Sequence, residues 1–408
     1  MDHNILVVGK LFKRLTTYIT NCDCNYYGLI DTASRSLIDS RCVECDFSSE
    51  ESYLKAAEVL NQTVRIDGVV ATYENYILPA AQIAKHLGLP GLPVSAARAC
   101  TDKEIMRDLF AKAPIHISPD FTVIKSVNEL QKFADSHEFP LILKPANLAK
   151  SLLVTKNNDL TELLENYETT ISQVDEVYRK YAPHRKPKLL VEEFLDGSIH
   201  SVDAFIGPDG EPRVLEQVVD YQTGYDIGYD DNFHYSRLLP SKLAPKVIED
   251  IRKVAALGCR SLGMKNSAAH IEIILTKNGP KLVEIGARNG GYRERMHGLA
   301  NGIDIIGASL DVAVGRQFNI SAVRNDPCAV LELFPKFSGE FSHISNQQKL
   351  EKLPSLAYFN LKVKPGSLVG KAANGHKMCA VIMLHNQNKE QFKNDLEFVN
   401  KHVYVETI

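Results

Sequence analysis

Ala269-His270-Ile271-Glu272-Ile273 and Val283-Glu284-Ile285-Gly286-Ala287-Arg288, with Asn278-Gly279-Pro280 between them, read as two strands, each apolar on one face and polar on the other. Side chains alternate along a strand, so Ile271 and Ile273 with Val283, Ile285 and Ala287 can pack a core while Glu272, Glu284 and Arg288 share the opposite face. A hairpin centred on Asn278 places Glu272 across from Glu284. Two carboxylates facing each other across an antiparallel pair repel unless a cation lies between them, and a hard ion such as Mg²⁺ suits two such oxygens. A two-residue Asn278-Gly279 turn would offset the glutamates by one and set Pro280 where a closing N–H is needed, so a longer loop is expected. On the hairpin alone, a solvated strand face with an incidental glutamate pair explains the pattern equally well.

The remaining composition narrows the class. The chain has 408 residues, 44% hydrophobic and 24% charged, enough for two or three domains of an ordinary globular protein. Its net charge of −3 and the lack of a Lys/Arg block argue against a nucleic-acid partner. The first residues form no signal peptide and no run reaches the length of a membrane span, so no membrane partner and a cytoplasmic location are expected. Eight cysteines then read as reduced thiols. Cys22, Cys24, Cys42 and Cys45 have metal-like spacing, but they flank apolar segments and read as small buried side chains.

Along the chain, residues 1–100 alternate strands (Asn4 to Val8, Tyr27 to Asp31, Asp67 to Thr72) with helices (Glu51 to Gln62, Tyr76 to Leu87), a βαβ rhythm. Val8-Gly9-Lys10 lacks further glycines in register, so neither a dinucleotide fingerprint nor a P-loop is present. Residues 101–319 read as α+β: strands at Phe121 to Ile124, Pro140 to Lys144, Lys188 to Leu195, Ser201 to Ile206 and Val214 to Val219, and helices at Ser126 to Ser136, Asp159 to Tyr181 and between Lys242 and Met264. Residues 320–408 read as a small α+β module with a strand at Ala329 to Leu333, a turn at Pro365-Gly366 and a last helix around Gln391 to Asn400.

Several residues outside the hairpin carry chemistry. Lys144 ends an apolar strand just before Pro145, where an ammonium can meet a phosphate. Lys103 opens a helix toward Phe110 with Thr101 as expected N-cap. Val191 to Gly197 is a strand stopping at a glycine, able to offer backbone groups and the Phe194 or Leu195 side chain to a flat heterocycle. His270 shares the glutamate face. After Arg288 come Asn289, Gly290, Gly291, Arg293 and Arg295, a glycine-flanked group suited to close approach of a charged ligand. The segment Tyr221 to Asp231 reads as a lid or specificity loop, or equally as a solvated turn.

In their order, Thr101-Asp102-Lys103, Lys144-Pro145, Val191 to Gly197, Glu272 and Glu284-Ile-Gly-Ala-Arg288 resemble the ATP-grasp superfamily of carboxylate–amine ligases, over about residues 60 to 315. Val283 to Gly291 and the final module look most like the branch that joins two L-amino acids. The resemblance implies an ATP-grasp fold preceded by a pre-ATP-grasp βαβ domain. It also implies ATP with Mg²⁺ or Mn²⁺, with Lys103, Lys144 and Ser151 at the phosphates and Glu192, Glu193, Phe194 and Leu195 at adenine. Glu272 and Glu284 would hold the metal and Arg288 would steady the acyl-phosphate step. His270, Asn289, Gly291, Arg293 and Arg295 would meet the substrate. Three positions depart from the family pattern: Ala146 to Val154 is glycine-poor, Ile199 stands where a ribose-binding glutamate is usual, and Gly286 stands where a metal-binding asparagine is usual.

The expected activity is ATP-dependent joining of a small carboxylate, an amino acid, to an amine, releasing ADP and phosphate. The partners are thus small molecules, and a homodimer fits the family. A carboxylase-like enzyme using carboxyphosphate and a non-catalytic ATP-binding protein are the alternatives. No Ser/His/Asp or activated-cysteine pattern is needed for such chemistry, which works by positioning and electrostatics.

Overall fold

The structure, a computed structural model, describes residues 3–22, 24–32, 39–148, 152–182 and 185–408. The alternating segments at the start form a parallel four-stranded sheet in the order Cys42–Cys45, Asn25–Asp31, Asn4–Gly9, Gly68–Ala71. Its strands are almost wholly apolar because helices cover both faces. The expected helices are Glu50–Val64, capped by the Ser49 side chain on Ser52 N, and Ile77–His86.

A second, antiparallel sheet orders Phe121–Ile124, Leu189–Glu193, Leu141–Pro145 and Thr155–Asn157. Leu141, Leu143, Leu189 and Val191 turn to a core shared with Leu130 and Phe133 of the Val127–Ser136 helix and Leu163 and Tyr167 of the Leu160–Tyr181 helix. Alternation therefore sends Lys144 and Glu192 to the other face.

The third sheet has nine strands, in the order Gly279–Gly286, Ser267–Thr276, Gly197–Ile206, Val219–Thr223, His234–Leu239, Cys328–Leu333, Ala380–His385 and Leu356–Leu361, with Pro212–Val214 pairing Gly197–Ile206. Strands from the last eighty residues thus continue the sheet that carries the glutamate hairpin. The expected single strand from Val214 to Val219 is instead two, Pro212–Val214 and Val219–Thr223, which pair successive parts of one edge of Gly197–Ile206 while Ser267–Thr276 takes the other edge.

Glu272 does lie opposite Glu284, but by a different route from the expected long loop. Thr276 pairs with Gly279, leaving a two-residue loop of Lys277 and Asn278, and Gly279 takes φ +100°, which glycine tolerates. The register then shifts by one between Glu272 and Ile273, whose partners are Glu284 and Leu282, so Val283 is an extra residue on its strand. The bulge also corrects the expected core: Leu282 and Ile285 are buried, whereas Val283 is not. Ile271, Ile273, Leu282 and Ile285 pack on Ile251, Val254, Ala255 and Cys259 of the Pro245–Ser261 helix.

Among the described residues no helix is long and apolar enough to cross a membrane. Ile271 is fully buried beneath the hairpin, and Ile271→Ala is expected to cost about 2–5 kcal/mol in a denaturant unfolding titration.

Candidate active site

The Lys103–Phe110 helix lies between the second and third sheets and carries cations to both. Its N-cap is Asp102, whose side chain accepts from Glu104 N, and not Thr101, whose hydroxyl donates back to Ala97 O. The Lys103 ammonium reaches Glu284 Oε2 at 3.0 Å and Leu148 O at 3.3 Å. One turn on, Arg107 has no exposed surface at all. Its Nε and Nη2 lie 3.2 Å from Glu192 Oε2, its Nη2 donates to Val283 O at 2.8 Å, and its Nη1 is buried with no partner among the described residues. Glu192 Oε1 accepts from the Lys144 ammonium.

This buried group holds two cations against one carboxylate. Burial draws Lys144 down to about 8, opposed by Glu192 and reinforced by Arg107 and Lys103. Burial would push Glu192 up, but Lys144 and Arg107 outweigh it and hold it below the usual carboxylate range. Excess buried positive charge beside an unpartnered guanidinium N–H suits a polyanion, and the acidic pair across the cleft suits its cation.

Glu284 is likewise held low: burial opposes, and Lys103, Arg288 and Lys144 together prevail. Glu272, across the ladder, keeps about a third of its side chain exposed and lies 3.7 Å from His270 Nε2. Lys103 therefore occupies one side of the carboxylate pair, and Glu272 faces the open side. Arg288 Nε binds Glu74 Oε2 at 3.0 Å, and burial raises the Glu74 carboxyl despite that arginine.

Some expected residues are drawn inward. His270 Nδ1 binds Asp203 at 2.9 Å. Arg293 is fully buried; its Nη2 donates to Ser201 Oγ at 2.9 Å and Tyr221 OH at 2.5 Å, and its Nε lies 3.3 Å from Asp203 Oδ2. Arg295 stacks 4.1 Å over the Tyr358 ring. Neither arginine offers the glutamate pair a free guanidinium. Asn289 is tied to Ser309 at 2.8 Å, and Gly291 lines an open cleft. Gly290, not Gly291, makes the close approach, since a Cβ there would come within 2.4 Å of the His270 ring.

At the strand end, Glu193 turns away to accept from Asp120 N at 2.8 Å, and with His116 and Asp120 it forms the one group of three or more possible metal ligands among the described residues. His116 and Asp120 of that group are exposed and Glu193 is half-buried, and none of the three is Glu272 or Glu284. Phe194 lies 4.0 Å beneath the Lys156 ammonium, and Leu195 is half-buried in the loop beyond. Ser151 lies outside the described residues. Ile199 pairs with Ile274, so apolar side chains occupy the position of the usual ribose glutamate. All eight cysteines are free thiols; of the four with metal-like spacing only Cys45 is buried as expected, whereas Cys24 and Cys42 are half-buried and Cys22 is exposed, because they lie at the ends of elements on the edge of the first sheet.

Glu74, Arg107, Asp203 and the Val283 bulge escaped the sequence reading. Arg107 was within reach, four residues after Lys103 on the same helix face. Asp203 follows Ser201 on the face that Glu272 shares. Glu74 had no local signal, because its role depends on a turn after the first sheet meeting the hairpin's end.

Residues 137–294 match the model of the ATP-grasp domain. The chain is 24% identical over 310 residues to the uncharacterized protein y4rH of Sinorhizobium fredii, covering 76% of this chain and 61% of the relative. It is 29% identical over 280 residues to the alanine–anticapsin ligase of Bacillus subtilis, covering 63% and 57%. The matches thus span about three fifths of these curated relatives. The crystal structure of an L-amino acid ligase from Bacillus licheniformis superposes with a TM-score of 0.82 at 18% identity, covering 100% of this chain and 99% of that one.

Removing Arg107 would leave the half-buried Val283 O and one buried Glu192 oxygen without that donor. Arg107→Met is expected to lower unfolding stability by about 3–5 kcal/mol, with Arg107→Lys recovering part of it, as read by chemical denaturation. The matched segment, residues 137–294, holds Lys144, Glu192, Glu272 and Glu284, and the chain has the ATP-grasp fold.

Proposed function

We propose that this chain is an ATP- and Mg²⁺-dependent ligase that joins a small carboxylate, an amino acid, to an amine. The observation that carries the reading is Glu272 opposite Glu284 with Lys103, Lys144 and Arg288 around them. Lys103 and Lys144 would hold the ATP phosphates, and the free Nη1 of Arg107 adds a donor on the same side. The backbone from Glu193 to Leu195, with Phe194 and Leu195 as walls, would hold adenine; the Glu192 carboxylate is committed to Lys144 and Arg107 and serves by fixing them. Mg²⁺ on Glu272 and Glu284 would neutralise the charge of the transferring phosphoryl group.

In the reaction, a carboxylate oxygen of the first substrate attacks the γ-phosphorus and ADP leaves. The amine nitrogen of the second substrate then attacks the acyl carbon, inorganic phosphate leaves, and the nitrogen gives up a proton as the amide forms. The chain supplies no nucleophile; it orients the two reactants and stabilises charge. Arg288 stands beside Glu284 to steady the acyl phosphate, and Glu74, whose carboxyl burial has made more basic, offers an acceptor for a substrate ammonium. The reading keeps a three-part organisation, residues 1–100, 101–319 and 320–408, and a cytoplasmic location.

The test is phosphate release from ATP and Mg²⁺ with pooled amino acids, against no-acceptor and bicarbonate controls, with mass spectrometry of products. A new amide formed only with amino acids is expected; tight ATP binding with no release in any pool overturns the reading. Glu284→Gln should abolish that release while the melting temperature stays near wild type. Lys144 loses its positive charge as pH rises through about 8. ADP affinity by calorimetry should therefore fall over that range, and Lys144→Met should flatten the dependence.

A further inference from the structure

A cleft of about 510 Å³ opens beside Glu74 and Arg288 and extends between the first sheet and the hairpin sheet. Its lining divides by chemistry. The polar part includes Glu74, Arg288, Asn289 and Glu294, with Thr72 and Asn266 set among the apolar residues. The rest is mainly aliphatic, including Ile77, Ala81, Ala84, Ala268, Ile306 and Val312, all of them buried residues. Alanines recur in this wall, at 80, 81 and 84 on one helix and at 268, 287 and 313 on the facing elements. Small side chains on both sides leave open a space that leucines or isoleucines would fill. Two buried polar atoms of lining residues, Thr72 Oγ1 and Asn266 Oδ1, have no hydrogen-bond partner among the described residues.

A cavity of about 150 Å³ is enough to take benzene, so this one holds far more than the methyl group of alanine. A cation and a carboxylate 3.0 Å apart beside an aliphatic chamber match the two charged groups and the side chain of one α-amino acid. We infer that one of the two substrates is an amino acid with a large apolar side chain, of leucine, methionine or phenylalanine size. Its α-carboxylate and α-ammonium meet Arg288 and Glu74, and its side chain fills the chamber walled by Ala81, Ala84 and Ala268. The joining of that amino acid rests on the ligase reading, whereas its binding does not.

The experiment measures binding and turnover separately on the full chain. Calorimetry with MgADP present compares leucine, phenylalanine and alanine. Each buried methylene contributes roughly fourfold in affinity, so leucine and phenylalanine should bind roughly ten- to a hundredfold tighter than alanine. Ala81→Leu, which narrows the chamber, should remove most of that preference while leaving alanine affinity within about threefold of wild type. A melting curve checks that the variant folds, and Ala84→Val, a smaller change, replaces it if it does not. Equal binding of alanine and leucine, binding of none of the three, or a folded variant that keeps the wild-type preference each overturns the inference. Product analysis with the same amino acids separates the two readings. Selective leucine binding without amide formation sinks the ligase assignment alone, and amide formation from small amino acids with no gain for large ones sinks the chamber assignment alone.

Discussion

Two carboxylates held face to face across a β-ladder are an unfavourable arrangement in an isolated protein, and the site is organised around the cations that make it tolerable. Lys103 satisfies Glu284 from one side, Arg288 adds charge from the next turn of chain, and Glu272 is left facing the open side. Such a pair is stable only while its register is fixed, since a slip of one residue would send one glutamate to the apolar face. Burial of Ile271, Ile273, Leu282 and Ile285 against the Pro245–Ser261 helix supplies that constraint. The bulge at Val283 reconciles a two-residue loop with the required opposition.

The same bulge ties the hairpin to the other half of the cleft. Its carbonyl accepts from Arg107, and Arg107 also holds Glu192, which holds Lys144. One fully buried guanidinium therefore connects the strand that bears Glu284 with the small sheet that bears Lys144. An arginine suits this place better than a lysine, because its planar fork can serve a carboxylate and a carbonyl at once. Removing it would disturb both sheets together.

The glutamate opposition was legible because period-two alternation is local, whereas the Lys277-Asn278 turn and the bulge that together deliver it were not. The helix boundaries from Val127 to Ser136 and Leu160 to Tyr181 were equally legible, because Ser126 and Asp159 cap them through their own side chains. Val283 was misplaced because a bulge shifts the alternation without leaving a composition signal. Arg293 and His270 looked like ligand groups in the sequence. The structure places both on Asp203, a partner about seventy to ninety residues earlier that no short-range pattern connects to them. Glu74 was invisible for the same reason on a longer scale: its partner Arg288 is 214 residues away.

The third sheet does not stop where the glutamate-bearing region does. Cys328–Leu333 pairs with His234–Leu239 along four residues and is itself paired on its far side. A shortened chain ending near residue 320 would keep the glutamates, the lysines and Arg107, yet would expose the backbone N–H and C=O groups of His234–Leu239 as a bare edge. Open edges of that kind recruit strands from neighbouring molecules. The closing eighty residues thus act as a seal for the largest sheet among the described residues, and their presence bears on whether the protein stays dispersed.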